Sequence, residues 1–228
     1  FDNVVNALGP ADSGIIALGD LDATQIGTSI LPGSITLRFD ATVFDGPGPD
    51  FAVFENAGTF FTDPYIFAEL AFVEVSSNGA DFARFSSTSL NIEPDGNGML
   101  DTDELDVMFE RNFAGIDTTN VENLAGVHPA GIGTPFDLNQ LANHTDVLGG
   151  LVDLDNIHFV RLVDIPGNGA FLDSLGNPIL DTWLSTGSGG FDLDAVGAIN
   201  AVPEPGTILL ALMASFALVA KCRLRFTG

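Results

Sequence analysis

Phe51-Ala52-Val53-Phe54-Glu55-Asn56 is apolar on both faces of an extended chain. A strand written that way is covered on both sides, as central strands are. Leu70-Ala71-Phe72-Val73-Glu74-Val75 repeats the pattern. Upstream, Ser34-Ile35-Thr36-Leu37-Arg38-Phe39 alternates, putting Ile35, Leu37 and Phe39 on one face and polar groups on the other. That is a half-buried strand. Between the first two kinds lies Phe44-Asp45-Gly46-Pro47-Gly48-Pro49-Asp50, whose prolines and glycines force a turn. Ser77-Asn78-Gly79 reads as a hairpin turn into Phe82-Ala83-Arg84-Phe85. Farther on, Ile157 to Ile165 reads as a long strand and Phe191 to Ile199 as the last, with a helical turn at Leu138–Ala142 after Pro135. The total is about eight strands, the number of a two-sheet β-sandwich or jelly roll. The expected fold class is therefore all-β.

The 228 residues suit one domain plus an appendage. Hydrophobic content of 46% supplies a sizeable core, and 19 phenylalanines against one Trp and one Tyr supply most of its rings. The net charge is −24, and it is unevenly spread. Residues 1–200 hold four arginines, no lysine and 30 acids, a net charge of −26. Such a surface repels phosphate backbones, which argues against nucleic-acid binding, and attracts divalent cations. The one cysteine, Cys222, lies in the tail, so the first 200 residues can form no internal disulfide. The sequence begins at Phe1 without Met, so any export signal is read as removed or as lying upstream.

A composition break after Asn200 divides an acidic domain, 1–200, from a tail, 201–228. Ala201-Val202-Pro203-Glu204-Pro205-Gly206 is stiff and extended. Ile208–Ala220 is apolar except for Ser215, and Lys221, Arg223 and Arg225 follow it. Thirteen residues, twelve of them apolar, are short for a span, but snorkelling cations extend the reach through Leu224 and Phe226. The expectation is a single transmembrane helix with its basic end in the cytoplasm and the acidic domain outside.

Val202-Pro203-Glu204-Pro205, a hydrophobic helix and a terminal Arg/Lys cluster together resemble the PEP-CTERM sorting signal. The resemblance covers Val202–Gly228 and implies a role for Pro203, Glu204, Pro205, Lys221, Arg223 and Arg225 as the sorting motif. It implies recognition by an exosortase, a membrane-embedded processing enzyme of Gram-negative bacteria that make extracellular polysaccharide. The apolar run is short for the family and Cys222 interrupts the basic cluster. The domain is also similar to PEP-CTERM surface proteins of unknown function, through 45–56, 71–76, 133–138 and 190–196; that similarity implies a β-sandwich and no catalytic residue.

The sharpest local motif is Glu93-Pro94-Asp95-Gly96-Asn97-Gly98-Met99-Leu100-Asp101-Thr102-Asp103-Glu104. On the pattern of a 12-residue calcium loop, Glu93, Asp95, Asn97, Asp101 and Glu104 supply side-chain oxygens and Met99 a carbonyl. Gly98 falls where the loop turns sharply. Glu93 in place of Asp, and Pro94 after it, depart from the pattern; the alternative is an acidic surface turn. A weaker cation cluster comprises Asp45, Asp50, Glu55, Asp192 and Asp194, all at turns or strand ends, which a sandwich gathers at its edges. Glu55, inside an apolar strand, needs a cation or an arginine such as Arg161 or Arg38.

His128, His144 and His158 are far apart and lack zinc-ligand spacing. No nucleophile elbow, zinc-protease helix, phosphate loop or dinucleotide fingerprint occurs. The expected function is therefore non-enzymatic. The protein is read as an exported cell-surface or matrix component of the Gram-negative envelope, single-pass before processing and stabilised by calcium. Extracellular polysaccharide is a second expected partner, through a jelly-roll carbohydrate-binding module with Trp183 as its stacking residue and Tyr65 the other ring available. A hydrolase ranks behind both.

Overall fold

The computed structural model describes residues 3–28, 30–59, 65–91, 115–185 and 187–203. The chain is mostly β-strand, in antiparallel sheets with few helical turns. The first main sheet has the order β1 (Ile16–Ala17), β15 (Asp192–Ala198), β3 (Phe51–Glu55), β11 (Thr134–Phe136). The second has the order β10 (Leu124–Ala125), β5 (Ala71–Ser76), β12 (Ile157–Asp164), β2 (Ser34–Val43), β16 (Ala201–Pro203), with β6 (Ala83–Arg84) also on β5. The described residues also form three ribbons: β4 (Tyr65–Ile66) with β8 (Ile116–Asp117), β7 (Thr88–Ser89) with β9 (Val121–Glu122), and β13 (Asn168–Leu172) with β14 (Pro178–Leu180).

Side-chain alternation explains which strand lies where. β2 exposes Ser34, Thr36, Arg38 and Asp40 and turns Phe39 and Val43 into the core. All six residues of β5 are buried, because it is covered on both faces. One face meets the core shared by the two sheets, through Val73, Val75, Val160 and Leu162 against Phe51, Val53 and Leu193. The other meets a second apolar cluster of Phe72, Leu70, Ile66, Ile116, Leu124 and Ile179. Phe39, Phe51, Phe85 and Phe136 fill the shared core as a ring cluster with centroids 5.0–6.0 Å apart, mostly edge to face. Four of the nineteen phenylalanines are used there.

The hairpin at 77–79 is built as expected. Ser76 Oγ accepts from the backbone N–H of Asn78 and Gly79, Gly79 takes a positive φ of 77°, and β5 pairs with β6. The expected helical turn is a 3-10 turn, Leu138–Leu141, capped by Asp137. Two readings need correction. The strand at 191–199 is not the last, because Ala201–Pro203 adds β16 to the edge of β2. The described residues hold sixteen strands, of which seven are two residues long and too short to leave a periodic trace.

No helix among the described residues is long and apolar enough to cross a membrane. The expected helix at 208–220, and Glu204, Pro205, Lys221, Arg223 and Arg225, lie outside the described residues.

Candidate metal centre

Register brings acids to one end of both sheets. In the first sheet Leu193 stands opposite Glu55, which places Glu55 beside Asp192. In the second, Asp164 at the end of β12 stands opposite Ala71 at the start of β5, and Glu69 lies two residues before Ala71. The Gly19–Asp20 turn closes over this end: Leu18 and Gly19 donate backbone N–H to Phe191 and Gly189 carbonyls, at 3.0 and 2.9 Å. Asp181, just after β14, completes the group.

These acids are buried. Glu55, Glu69, Asp164, Asp181 and Asp192 are each under a tenth exposed. Some oxygens are satisfied. Asp164 Oδ1 accepts from Phe191 N at 2.7 Å, Asp181 Oδ2 from Leu70 N at 2.8 Å, and Asp20 Oδ2 from Ser185 N at 3.1 Å. Ser185 Oγ donates to Glu69 Oε1 and accepts from Gly190 N at 3.0 Å. Four oxygens have no partner at all: Asp20 Oδ1, Glu55 Oε2, Asp164 Oδ2 and Asp192 Oδ1.

Electrostatics follow from that burial. Desolvation pushes Asp164 up to about 8, Glu69 to about 9, Asp20 to about 7 and Asp192 to about 6. Glu55 and Asp181 are raised well above the carboxylate range, first by burial and then by their acidic neighbours. The charges raising Glu55 are Glu69, Asp192 and Asp181. Arg161 does not reach Glu55. It pairs instead with Glu74, as does Arg84, whose Nη2 lies 2.6 Å from Glu74 Oε1.

A second group sits at the opposite end of β3. Asp45, Asp50 and Asp137 are the one trio among the described residues whose oxygens lie within 4.8 Å of one another. This trio is compact but largely occupied by the protein's own donors. Asp50 Oδ1 accepts from Gly46 N and Asn200 Nδ2, both at 2.8 Å, and Oδ2 from Leu138 N at 2.8 Å. Asp137 Oδ1 accepts from Asn139 N at 3.0 Å. The weaker cluster expected from the sequence therefore splits in two. Asp45 and Asp50 go to one end, Glu55 and Asp192 to the other, and Asp194 is taken up by Asp12 N at 2.8 and 3.0 Å.

The loop Glu93, Asp95, Asn97, Met99, Asp101, Glu104 lies outside the described residues. Trp183 as a sugar platform is corrected. It is 1% exposed and its indole N–H donates to Leu21 O at 2.8 Å, so neither ring face is open. Tyr65 is 49% exposed. Glu69, Asp164, Asp181 and Asp20 were not singled out by sequence. Each stands at the edge of an apolar run, where an acid reads as an ordinary strand terminus. The missing signal was that several apolar runs ended in acids on one side, while Arg84 and Arg161 paired with Glu74.

Comparison with protein-family models, with curated proteins and with solved structures returns no match.

Proposed function

We propose that this chain is a non-enzymatic, exported surface or extracellular-matrix protein. In this reading an acidic two-sheet sandwich of the jelly-roll kind is stiffened by calcium and carried on a C-terminal membrane-sorting helix. The observation that carries it is the junction at β16. Val202 and Pro203 pair with Thr42 and Ala41, so the folded sheet runs directly into Glu204-Pro205 and the apolar run beyond. The domain and a segment resembling the PEP-CTERM signal thus abut with no spacer. The implied partner is an exosortase, and the implied place is the Gram-negative envelope, single-pass before processing. The loop Glu93–Glu104 is one calcium site of this reading.

The test is localisation in a Gram-negative host that carries an exosortase. The full chain behind an export signal is expected at the surface, open to added protease. A chain ending at Pro203, which keeps β16, is expected in the medium or periplasm, as is one with Lys221, Arg223 and Arg225 all changed to Ala. Equal surface display of all three overturns the sorting role. The polysaccharide-binding alternative retains exposed Tyr65 as its ring, and retention of the full chain on an extracellular polysaccharide matrix, lost in Tyr65→Ala, would favour it.

A further inference from the structure

We propose that Asp20, Glu55, Glu69, Asp164 and Asp192 form a divalent-cation site, with the ligand chemistry of calcium, clamping one end of the two sheets. The inference rests on the reading of the domain as cation-stiffened, and it names a site separate from the 93–104 loop.

Unsatisfied oxygens carry it. Glu55 Oε2, Asp164 Oδ2 and Asp192 Oδ1 belong to side chains 3%, 1% and 4% exposed, and none has a hydrogen-bond partner. A buried carboxylate without a partner is strongly unfavourable. Two remedies exist. A proton neutralises one group and then needs an acceptor for its own O–H. A cation satisfies several oxygens at once. With three such groups beside two further acids, and with Arg84 and Arg161 committed to Glu74, one ion that draws the side chains together would answer them.

The donor set selects the ion. All five side chains offer hard oxygens, with neither thiolate nor imidazole among them, which disfavours zinc. In the structure no three of these carboxylates lie within 4.8 Å of one another, so an ion with oxygens at about 2.3–2.6 Å has to draw the side chains inward. A small octahedral ion such as magnesium needs tight oxygens near 2.1 Å, at roughly six positions. Calcium accepts six to eight oxygens at about 2.3–2.6 Å in loose geometry and tolerates water in the shell. That tolerance suits calcium to this acidic chamber, the buried end beneath the Gly19–Asp20 turn.

The ligands also explain what the ion would hold. Glu55 and Asp192 come from the first sheet and Asp164 from the second; Glu69 leads into β5. Asp20 comes from the turn that closes over them. Five acids from separate stretches of chain would be fixed to one point.

The experiment uses the full chain in detergent, stripped with EDTA, with thermal melts read with and without calcium chloride. Terbium, a calcium stand-in, is read by luminescence excited through Trp183, the only tryptophan, two residues from both Asp181 and Ser185. Calcium is expected to raise the melting temperature of the native chain and of Glu104→Ala. Glu55→Gln and Asp164→Asn should each lose at least half of that rise and weaken terbium binding at least about tenfold. In EDTA both should melt at or above the native chain, since each deletes a buried charge while keeping shape; that result shows they fold. Should either fail to fold, Asp20→Asn, on the less buried rim, is read the same way. A full calcium rise in these variants overturns the chamber site. If the rise vanishes only in Glu104→Ala, the chamber is overturned while calcium stiffening through the loop stands. No rise in the native chain overturns both.

Discussion

Asp50 and Glu55 bracket β3, about 17 Å apart at strand rise, and the same side-chain chemistry does opposite things at its two ends. Asp50 is saturated by three N–H donors from Gly46, Leu138 and Asn200. It ties the 44–50 turn, the 3-10 turn and the entry to β16 into one knot. Asp50→Ala leaves buried backbone N–H groups bare and should cost about 3 kcal/mol in urea unfolding, with Asp50→Asn costing less. Glu55 faces other acids, and its removal should help the metal-free protein. The sequence pointed to both residues, because an acid at a turn and an acid in an apolar strand each need a partner. Only the fold tells them apart, since a partner's identity depends on which distant segments arrive. Asp164 and Glu69 stayed invisible for the same reason.

Among the elements, the strands with continuous or alternating apolar patterns, β2, β3, β5, β12 and β15, were readable from the sequence, because period and burial coincide in them. The β4–β8 and β7–β9 ribbons were not, since a two-residue strand has no period, and β13–β14 was not, since the residues of β13 are only half-buried or exposed. β16 was missed because Val202-Pro203 reads as a stiff linker; proline tolerates a sheet edge, and an edge is where β16 lies. The loop before β15 carries a sharper constraint. Gly190 has φ of 70°, and a Cβ there would stand 2.6 Å from Asp164 Oδ1 and 2.9 Å from the Gly19 carbonyl carbon. Gly190→Ala should therefore destabilise the protein by about 3 kcal/mol, measured by denaturant melts. It should also blunt any calcium response, because the turn that closes the chamber must back away.

Over the whole molecule, a −26 domain without lysine or cysteine is held at its ends by aspartates accepting backbone N–H bonds. Asp50, Asp164, Asp173, Asp181 and Asp194 each join segments distant in sequence. The acidity that reads as a solvated surface is partly internal. Its consequence is a dependence on pH. In the metal-free state Asp192, Asp20, Asp164 and Glu69 are raised to about 6, 7, 8 and 9, above their unfolded values near 4. A raised carboxyl stabilises the fold below its unfolded pKa and loses that contribution as pH climbs through the folded one. In EDTA the melting temperature should therefore fall between pH 5 and pH 9, and calcium should flatten the decline; a metal-free protein that gains stability over that range would contradict the buried charge. Mechanics adds a last point about β16. It leaves the Asp50 knot and runs antiparallel to β2, toward the end where the acids gather. Tension on the tail in that direction loads the β16–β2 bonds in shear, all at once. Tension the opposite way peels them one at a time, with the Asn200–Asp50 bond as the last catch. A tethered copy of this protein would resist being dragged one way and release its last strand the other, a ratchet-like grip set by three residues of register.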